Sequence, residues 1–273
     1  MSISGLDLLN SILPKINLHI GHLSIDSVLD NSNFSKYNSH LQIQGPPGIG
    51  KTKLILGLAT RSRFKSIQFN SKFYKNFEIL LIDADGSLHP QLIKSSSISL
   101  LNQSNQTNSN LLNHLLNGIH LVRITNPSQL AFFFKNLSNW LIIHQNVKLI
   151  ILDSITSHTR YVSMSINHRA IIAKIIKDAL NLASSIYNCT IIVTSQLTSK
   201  SIPTNHSSNT VALIPPDFKS NSWSNSNLST LSLMYDHLGN RKAIVILNQN
   251  SNKPHVFVTH FDINEIGIFE PIH

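Results

Sequence analysis

Leu41-Gln42-Ile43-Gln44-Gly45-Pro46-Pro47-Gly48-Ile49-Gly50-Lys51-Thr52, followed by the apolar-periodic run Lys53 to Thr60, decides the fold. Gly45 to Thr52 has the form GxxxxGK[ST] and stands between a short apolar strand, Leu41 to Gln44, and a helical pattern, where a phosphate-binding loop must stand. Glycines in such a loop let the backbone curl until its N–H groups face an anion. The helix that follows adds partial positive charge at its N-terminus. Gly45, Pro46, Pro47, Gly48, Ile49 and Gly50 are therefore the candidate cradle for ATP. Lys51 is placed to reach the β- and γ-phosphates, and the Thr52 hydroxyl to hold Mg²⁺.

Working outward, four more apolar runs have the length and the Ile/Leu/Val content of buried strands: Ile79 to Asp83, His120 to Ile124, Leu149 to Asp153 and Thr190 to Thr194. Helical patterns separate several of them. In Ala170 to Tyr187 the residues Ile171, Ile172, Ile175, Ile176, Ala179, Leu180, Ala183 and Ile186 share one face. Gln129 to His144 is a second such pattern. Strands alternating with helices predict an α/β fold with a mainly parallel sheet, helices on both faces, and ligands beyond the carboxyl ends of the strands. After Ser195 the pattern changes to Leu231 to Tyr235, Ala243 to Leu247 and Val256 to Ile263, with His237-Leu238-Gly239-Asn240 as a turn. An antiparallel C-terminal extension of the sheet follows. Ser95 to Asn113 reads as an expanded polar loop, and Thr198 to Ser229 as an irregular stretch.

Leu149 to Leu152 followed by Asp153 has the form of a strand that delivers a carboxylate to Mg²⁺. Alone, such an Asp is also a common turn cap; beside a phosphate loop it is a candidate metal ligand together with Thr52. Asp85, in Asp83-Ala84-Asp85-Gly86, reads on its own as the cap of a turn.

The succession Gly45-Pro-Pro-Gly-Ile-Gly-Lys-Thr52, Leu80-Leu-Ile-Asp-Ala-Asp-Gly86, Leu149-Ile-Ile-Leu-Asp-Ser-Ile-Thr156 and Ile191-Ile-Val-Thr-Ser-Gln-Leu-Thr198 resembles the ATP-binding core of RecA, RadA and the eukaryotic strand-exchange recombinases with their paralogues. The resemblance implies a RecA-like P-loop NTPase core over residues 23–273, preceded by an N-terminal segment, 1–22. Asp85 occupies the place of the family's catalytic Glu, which activates the attacking water. Asp is one methylene shorter, and a general base works within about 3 Å of its proton, so slow or absent hydrolysis is expected. Gln196 matches the glutamine that senses the γ-phosphate, and an amide can both donate to phosphate and accept from water.

The resemblance also implies two loops facing single-stranded DNA. Ser157 to His168 with Arg160, Tyr161, His168 and Arg169 would form the first. Leu197 to about Trp223 with Lys200, His206 and Lys219 would form the second. Cations neutralise phosphates and aromatics stack on bases. In the alternative, Arg160 and Arg169 are solvated helix flanks and Trp223 is a core anchor. The Trp223-Ser224 pair, Gly239-x-Arg241 and Phe261-x-Ile263 resemble the family's C-terminal core. The Trp-Ser form points to the assisting paralogues, as do the lack of room for an N-terminal helical DNA-binding domain and of a polymerisation motif. The expected protein is a nuclear recombination mediator that binds single-stranded or branched DNA, a sister paralogue and the main recombinase. A free-standing DNA-stimulated recombinase and a small-molecule kinase are the competing readings.

Composition agrees with this class. The 273 residues carry 22 Lys and Arg against 13 Asp and Glu, a formal charge of +9, as expected of a nucleic-acid partner. Abundant Asn and Ser leave open a drift in composition as the source of that balance. Cys189 stands alone, so the chain by itself forms no disulfide and a reducing compartment is expected. No run approaches the roughly 18–20 apolar residues of a membrane span, and residues 1–15 lack the layout of a signal peptide, so a soluble intracellular protein is expected. The 14 histidines show no metal-site spacing and read as surface or capping residues.

Overall fold

The computed structural model describes residues 16, 18–31, 40–68, 77–106, 108–158, 164–203, 208–213, 228–247 and 255–271, with the backbone alone at 31, 198–203, 208–213 and 228. Each apolar run of the sequence becomes a strand: β1 His40–Gly45, β2 Glu78–Asp83, β3 Ile119–Arg123, β4 Val147–Asp153, β5 Thr190–Gln196, β8 Leu228–Tyr235, β9 Arg241–Leu247 and β10 His255–His260. They join one sheet in the order β10-β9-β8-β1-β5-β4-β2-β3. From β8 through β3 every neighbour is parallel, while β9 is antiparallel to both β8 and β10. This is the α/β fold with a mainly parallel sheet and an antiparallel C-terminal extension, consistent with a RecA-like core.

Strands buried on both faces have no polar side to alternate with, which is why they read as continuous apolar runs. Ile79 and Leu81 of β2 face one core layer with Leu149, Ile151 and Ile192. Leu80 and Ile82 face the other with Ile150, Leu152 and Val193. The first layer is covered by α1 Leu23–Asn31 and α2 Lys51–Gln68, and by Phe261 and Ile268 near the C-terminus. The second is covered by α5 Pro127–Lys135, α6 Leu137–Ile143 and α7 Ile166–Ser185. Ile16, Leu18 and Ile20, from the segment before α1, are buried in the first layer. Cys189 is buried and forms no disulfide. Among the described residues no helix is long and apolar enough to cross a membrane.

Four expectations change. Ser95 to Asn113 is not one loop: Ser95 to Gln103 belongs to α3 Pro90–Gln103 and Ser109 to Asn113 to α4 Ser109–Asn117. The buried stripe Ile93, Ser96, Ser97, Leu100 and Leu101 has helical spacing, but two of its members are serines, which hid it. Ser97 Oγ donates to Ile93 O at 2.7 Å, so its hydroxyl is satisfied inside the helix. Gln129 to His144 forms two helices, parted at Asn136, whose Nδ2 donates to Phe132 O at 2.9 Å. In Thr198 to Ser229, β6 Thr198–Pro203 and β7 Ser208–Leu213 pair as an antiparallel ribbon, and residues 214–227 lie outside the described part. Val256 to Ile263 is broken at the buried Phe261 into β10 and β11 Asp262–Asn264, the latter paired with β12 Gly267–Phe269.

That last hairpin sits tightly against α2. A Cβ at Gly57 would lie 2.0 Å from Ile266 O and 2.9 Å from Gly267 Cα. Gly57→Ala gains at most about 1 kcal/mol of helix propensity, while forcing backbone off backbone costs about 3 kcal/mol. The expected result is a lower denaturation midpoint, read by urea titration, with the hairpin displaced first.

Candidate nucleotide-binding site

The loop between β1 and α2 emerges at the carboxyl end of the sheet, where β1 is flanked by the parallel strands β5 and β8. The connection after β1 leads to β2 on one side and that after the adjacent β5 leads to β8 on the other, so a crevice forms between them. Gly48 and Gly50 have φ of +76° and +112°, a region in which side chains are strained. A Cβ at Gly50 would also fall 2.2 Å from Ile263 Cδ1. Ile49 is buried in the core and anchors the loop from below. Gly45 is the last residue of β1, and Lys51 Nζ donates to the carbonyls of Gly45 at 2.9 Å and Pro46 at 2.8 Å.

A cleft of about 250 Å³ opens above the loop, lined by Pro47, Gly48, Gly50, Lys51, Thr52, Lys53, Asp85, Asp153, Ser154 and Gln196. Residues from four separate stretches of sequence thus converge on one cleft. Gly45, Pro46 and Ile49 are not among the lining residues.

Asp153 ends β4 at the cleft floor and is almost fully buried. Its Oδ2 accepts from Thr52 Oγ1 at 3.0 Å and Ser87 Oγ at 3.1 Å, and its Oδ1 accepts from Thr194 Oγ1. Burial pushes its carboxyl above the usual range, the three hydroxyls pull it back, and the charge of Asp85 raises it again. A carboxylate and a hydroxyl oxygen 3.0 Å apart on the cleft floor suit a hard divalent cation such as Mg²⁺. The donor set therefore fits the metal that Thr52 and Asp153 were expected to hold.

Asp85 is exposed on the cleft rim, and two backbone bonds put it there: Ala84 N and Asp85 N donate to Asp153 O at 2.6 and 3.1 Å. The turn is held from within by Asp83. Its Oδ1 accepts from Gly86 N at 2.8 Å and Ser87 N at 3.2 Å, and its Oδ2 accepts from Leu88 N at 3.3 Å and Arg123 Nη1 at 2.6 Å. Asp83 caps the turn, which leaves Asp85 free of that task. Gln196 ends β5 and lines the opposite wall, its N–H donating to Thr156 Oγ1 at 3.2 Å.

Ser87, Thr194, Asp83 and Arg123 belong to this arrangement and were not singled out from sequence. Thr194 meets Asp153 only because β5 lies beside β4 in parallel, an adjacency invisible in the linear chain. Of the expected DNA contacts, Arg169 sits in the first turn of α7, with its Nε donating to Met164 O at 3.1 Å. His168 N–H donates to the capping Ser165 Oγ at 3.3 Å. Lys200 has its backbone in β6, and its side chain lies outside the described part. Arg160, Tyr161, His206, Lys219 and the Trp223-Ser224 pair lie outside the described residues.

No protein-family model matches the chain. Among curated proteins it is similar to the DNA repair protein RAD51 homolog 3 of Dictyostelium discoideum, with 26% identity over 247 residues. The aligned part is 83% of this chain and 59% of that protein, so the chain spans about three fifths of the length of the relative it matches.

Proposed function

We propose that this chain, a RecA/RAD51-like recombinase paralogue, binds ATP with Mg²⁺ in the cleft and serves homologous recombination and DNA repair in the nucleus. The single observation that carries the nucleotide reading is the meeting of Thr52, Asp153, Asp85 and Gln196 around the glycine loop. The loop N–H groups and Lys51 bind and orient the triphosphate, as in other P-loop proteins. Thr52 and Asp153 hold Mg²⁺, which supplies charge neutralisation on the phosphates when bound. Asp85 accepts a proton from water on the rim, and Gln196 reports the γ-phosphate to the ribbon β6–β7 that follows it directly.

Residues 23–273 act as one RecA-like unit, into whose first core layer Ile16, Leu18 and Ile20 are also packed. Its partners are single-stranded or branched DNA, a sister paralogue and the main recombinase. Arg160, Arg169, Lys200 and Lys219 supply phosphate contacts from the segments beyond β4 and β5, in keeping with the +9 charge. ATP serves mainly as a switch, since the Asp85 carboxylate is short for its task.

The test is ATP turnover by the purified chain with and without single-stranded DNA. Turnover is expected to be slow, to rise with DNA, and to fall by about 10²-fold or more in Asp85→Ala, the range for a positioned general base. Turnover indifferent to DNA, or transfer of phosphate to a metabolite, would remove this reading.

A further inference from the structure

At the opposite rim of the sheet from the nucleotide cleft, three ligand-type side chains meet. Glu78 opens β2, His120 is the second residue of β3, and His144 follows the last residue of α6. Leu80 pairs with His120 in register, so Glu78, two residues earlier on the same face, is the diagonal neighbour of His120. Glu78 N donates to Asn146 O at 2.8 Å and Val147 N to His144 O at 3.1 Å, which folds the α6–β4 turn over that pair. His120 Nε2 lies 2.7 Å from Glu78 Oε2, and the His120 and His144 rings are 4.8 Å apart. One ligand atom from each of the three lies within 4.8 Å of the others.

We infer that Glu78, His120 and His144 form a binding site for a divalent transition-metal ion of the Zn²⁺ class. Two imidazole nitrogens and a carboxylate oxygen are a donor set that suits Zn²⁺ and that Mg²⁺, which prefers oxygen alone, does not favour. Zn²⁺ holds its ligands at about 2.0–2.2 Å, which puts ligand atoms roughly 3.4 Å apart around a tetrahedron. Small side-chain rotations within the present cluster reach that spacing. His120 then offers the Nε2 lone pair with its proton on Nδ1, and its hydrogen bond to Glu78 gives way to two metal bonds.

The surroundings fit a partly shielded site. Trp140 stacks on His144 at 4.0 Å and 24°, and stands edge-on to His120 at 5.4 Å, fixing both rings from one side. Side-chain exposures of 27% for His120 and 24% for Glu78 leave the other side open, so that water completes the coordination. Arg63, whose Nη1 donates to Phe77 O at 2.8 Å, adds a positive charge near Glu78 and weakens the site somewhat. A bound ion clasps the turn before β4 to the edge of the sheet. The three ligands come from three elements, so no short spacing in the sequence announces them.

The test uses the full chain, stripped with a chelator and kept in excess Mg²⁺ without nucleotide, and titrated with ZnCl₂ by calorimetry. One equivalent is expected to bind saturably at micromolar concentration, and Co²⁺ in its place to give the intense visible bands of four-coordination. His144→Gln and Glu78→Gln, with their folding checked by circular dichroism, are each expected to weaken Zn²⁺ binding by more than ~100-fold, beyond what loss of an outer-shell partner causes. Absence of saturable binding by the unaltered chain overturns the inference, whatever the variants do. So does binding that persists undiminished in both variants, which would assign it to other histidines.

Discussion

Asp153→Asn is expected to leave the nucleotide-free protein as stable as the parent, or more so, while abolishing the Mg²⁺-dependent part of ATP binding. Stability and function separate here because of burial. The carboxylate is held in the protein interior with three hydroxyls donating to it, and burial is the largest influence on its pKa, which it raises. A folded-state pKa above that of the unfolded chain means that the native state holds the proton more tightly. Ionised Asp153 therefore lowers stability as pH rises through that interval, and asparagine removes the cost. Asparagine keeps an acceptor for Thr194, and its amide can donate to Thr52 and Ser87, so no partner is stranded. In the parent, Mg²⁺ with ATP at 100 times its dissociation constant adds about 2.7 kcal/mol of stability. The variant gains no more from ATP with Mg²⁺ than from ATP alone. Lowering the pH acts in the same direction as the substitution, since a protonated carboxyl does not ligate. Thermal melts with and without Mg²⁺ across the pH range check both statements.

Asp83→Ala is expected to be the most damaging single change to the fold near the cleft. Asp83 is fully buried and accepts from three backbone N–H groups of its own turn as well as from Arg123. Removing it takes the acceptor from all four donors, of which Leu88 N–H is buried. Because Arg123 is about half exposed, the loss falls below that of a fully buried pair, at about 3 kcal/mol. Gly86, with φ of +87° and packed against Arg123, loses its tether at the same time. Asp85 and Ser87 ride on this turn, so turnover falls together with stability. Asp83→Asn, which keeps one acceptor oxygen, is expected to lose less of both. Urea denaturation of the three proteins ranks them.

How much of this was legible in the chain depends on whether a feature is local. The glycine loop and the strand ending at Asp153 are continuous stretches whose neighbours in sequence supply their context, and both were legible. The strands were legible because burial on two faces leaves an unbroken apolar run such as Ile79 to Ile82. The helix Pro90–Gln103 was not, because small serines fill buried positions where its stripe meets α2: Ser96 Oγ lies 3.4 Å from Thr60 Oγ1. Composition there resembled a linker although the spacing was helical. Contacts across strands were not legible either. Thr194 on Asp153 and His120 on Glu78 follow from strand order and register, which a linear pattern does not encode. Asp85 shows the intermediate case: its motif was visible, but its release from capping depends on Asp83 taking that role.

The measurement that tests the central claim most directly is equilibrium binding of ATP in the presence of Mg²⁺, comparing the intact chain with Lys51→Ala. Lys51 stands on the cleft wall, with its ammonium held by the carbonyls of Gly45 and Pro46, from which it can turn to phosphate. Saturable binding by the intact chain, weakened by about 10²-fold or more in the variant as a buried charge-assisted contact implies, is the predicted result. An intact chain that does not bind ATP, or a Lys51→Ala variant that binds it equally well, would contradict the account.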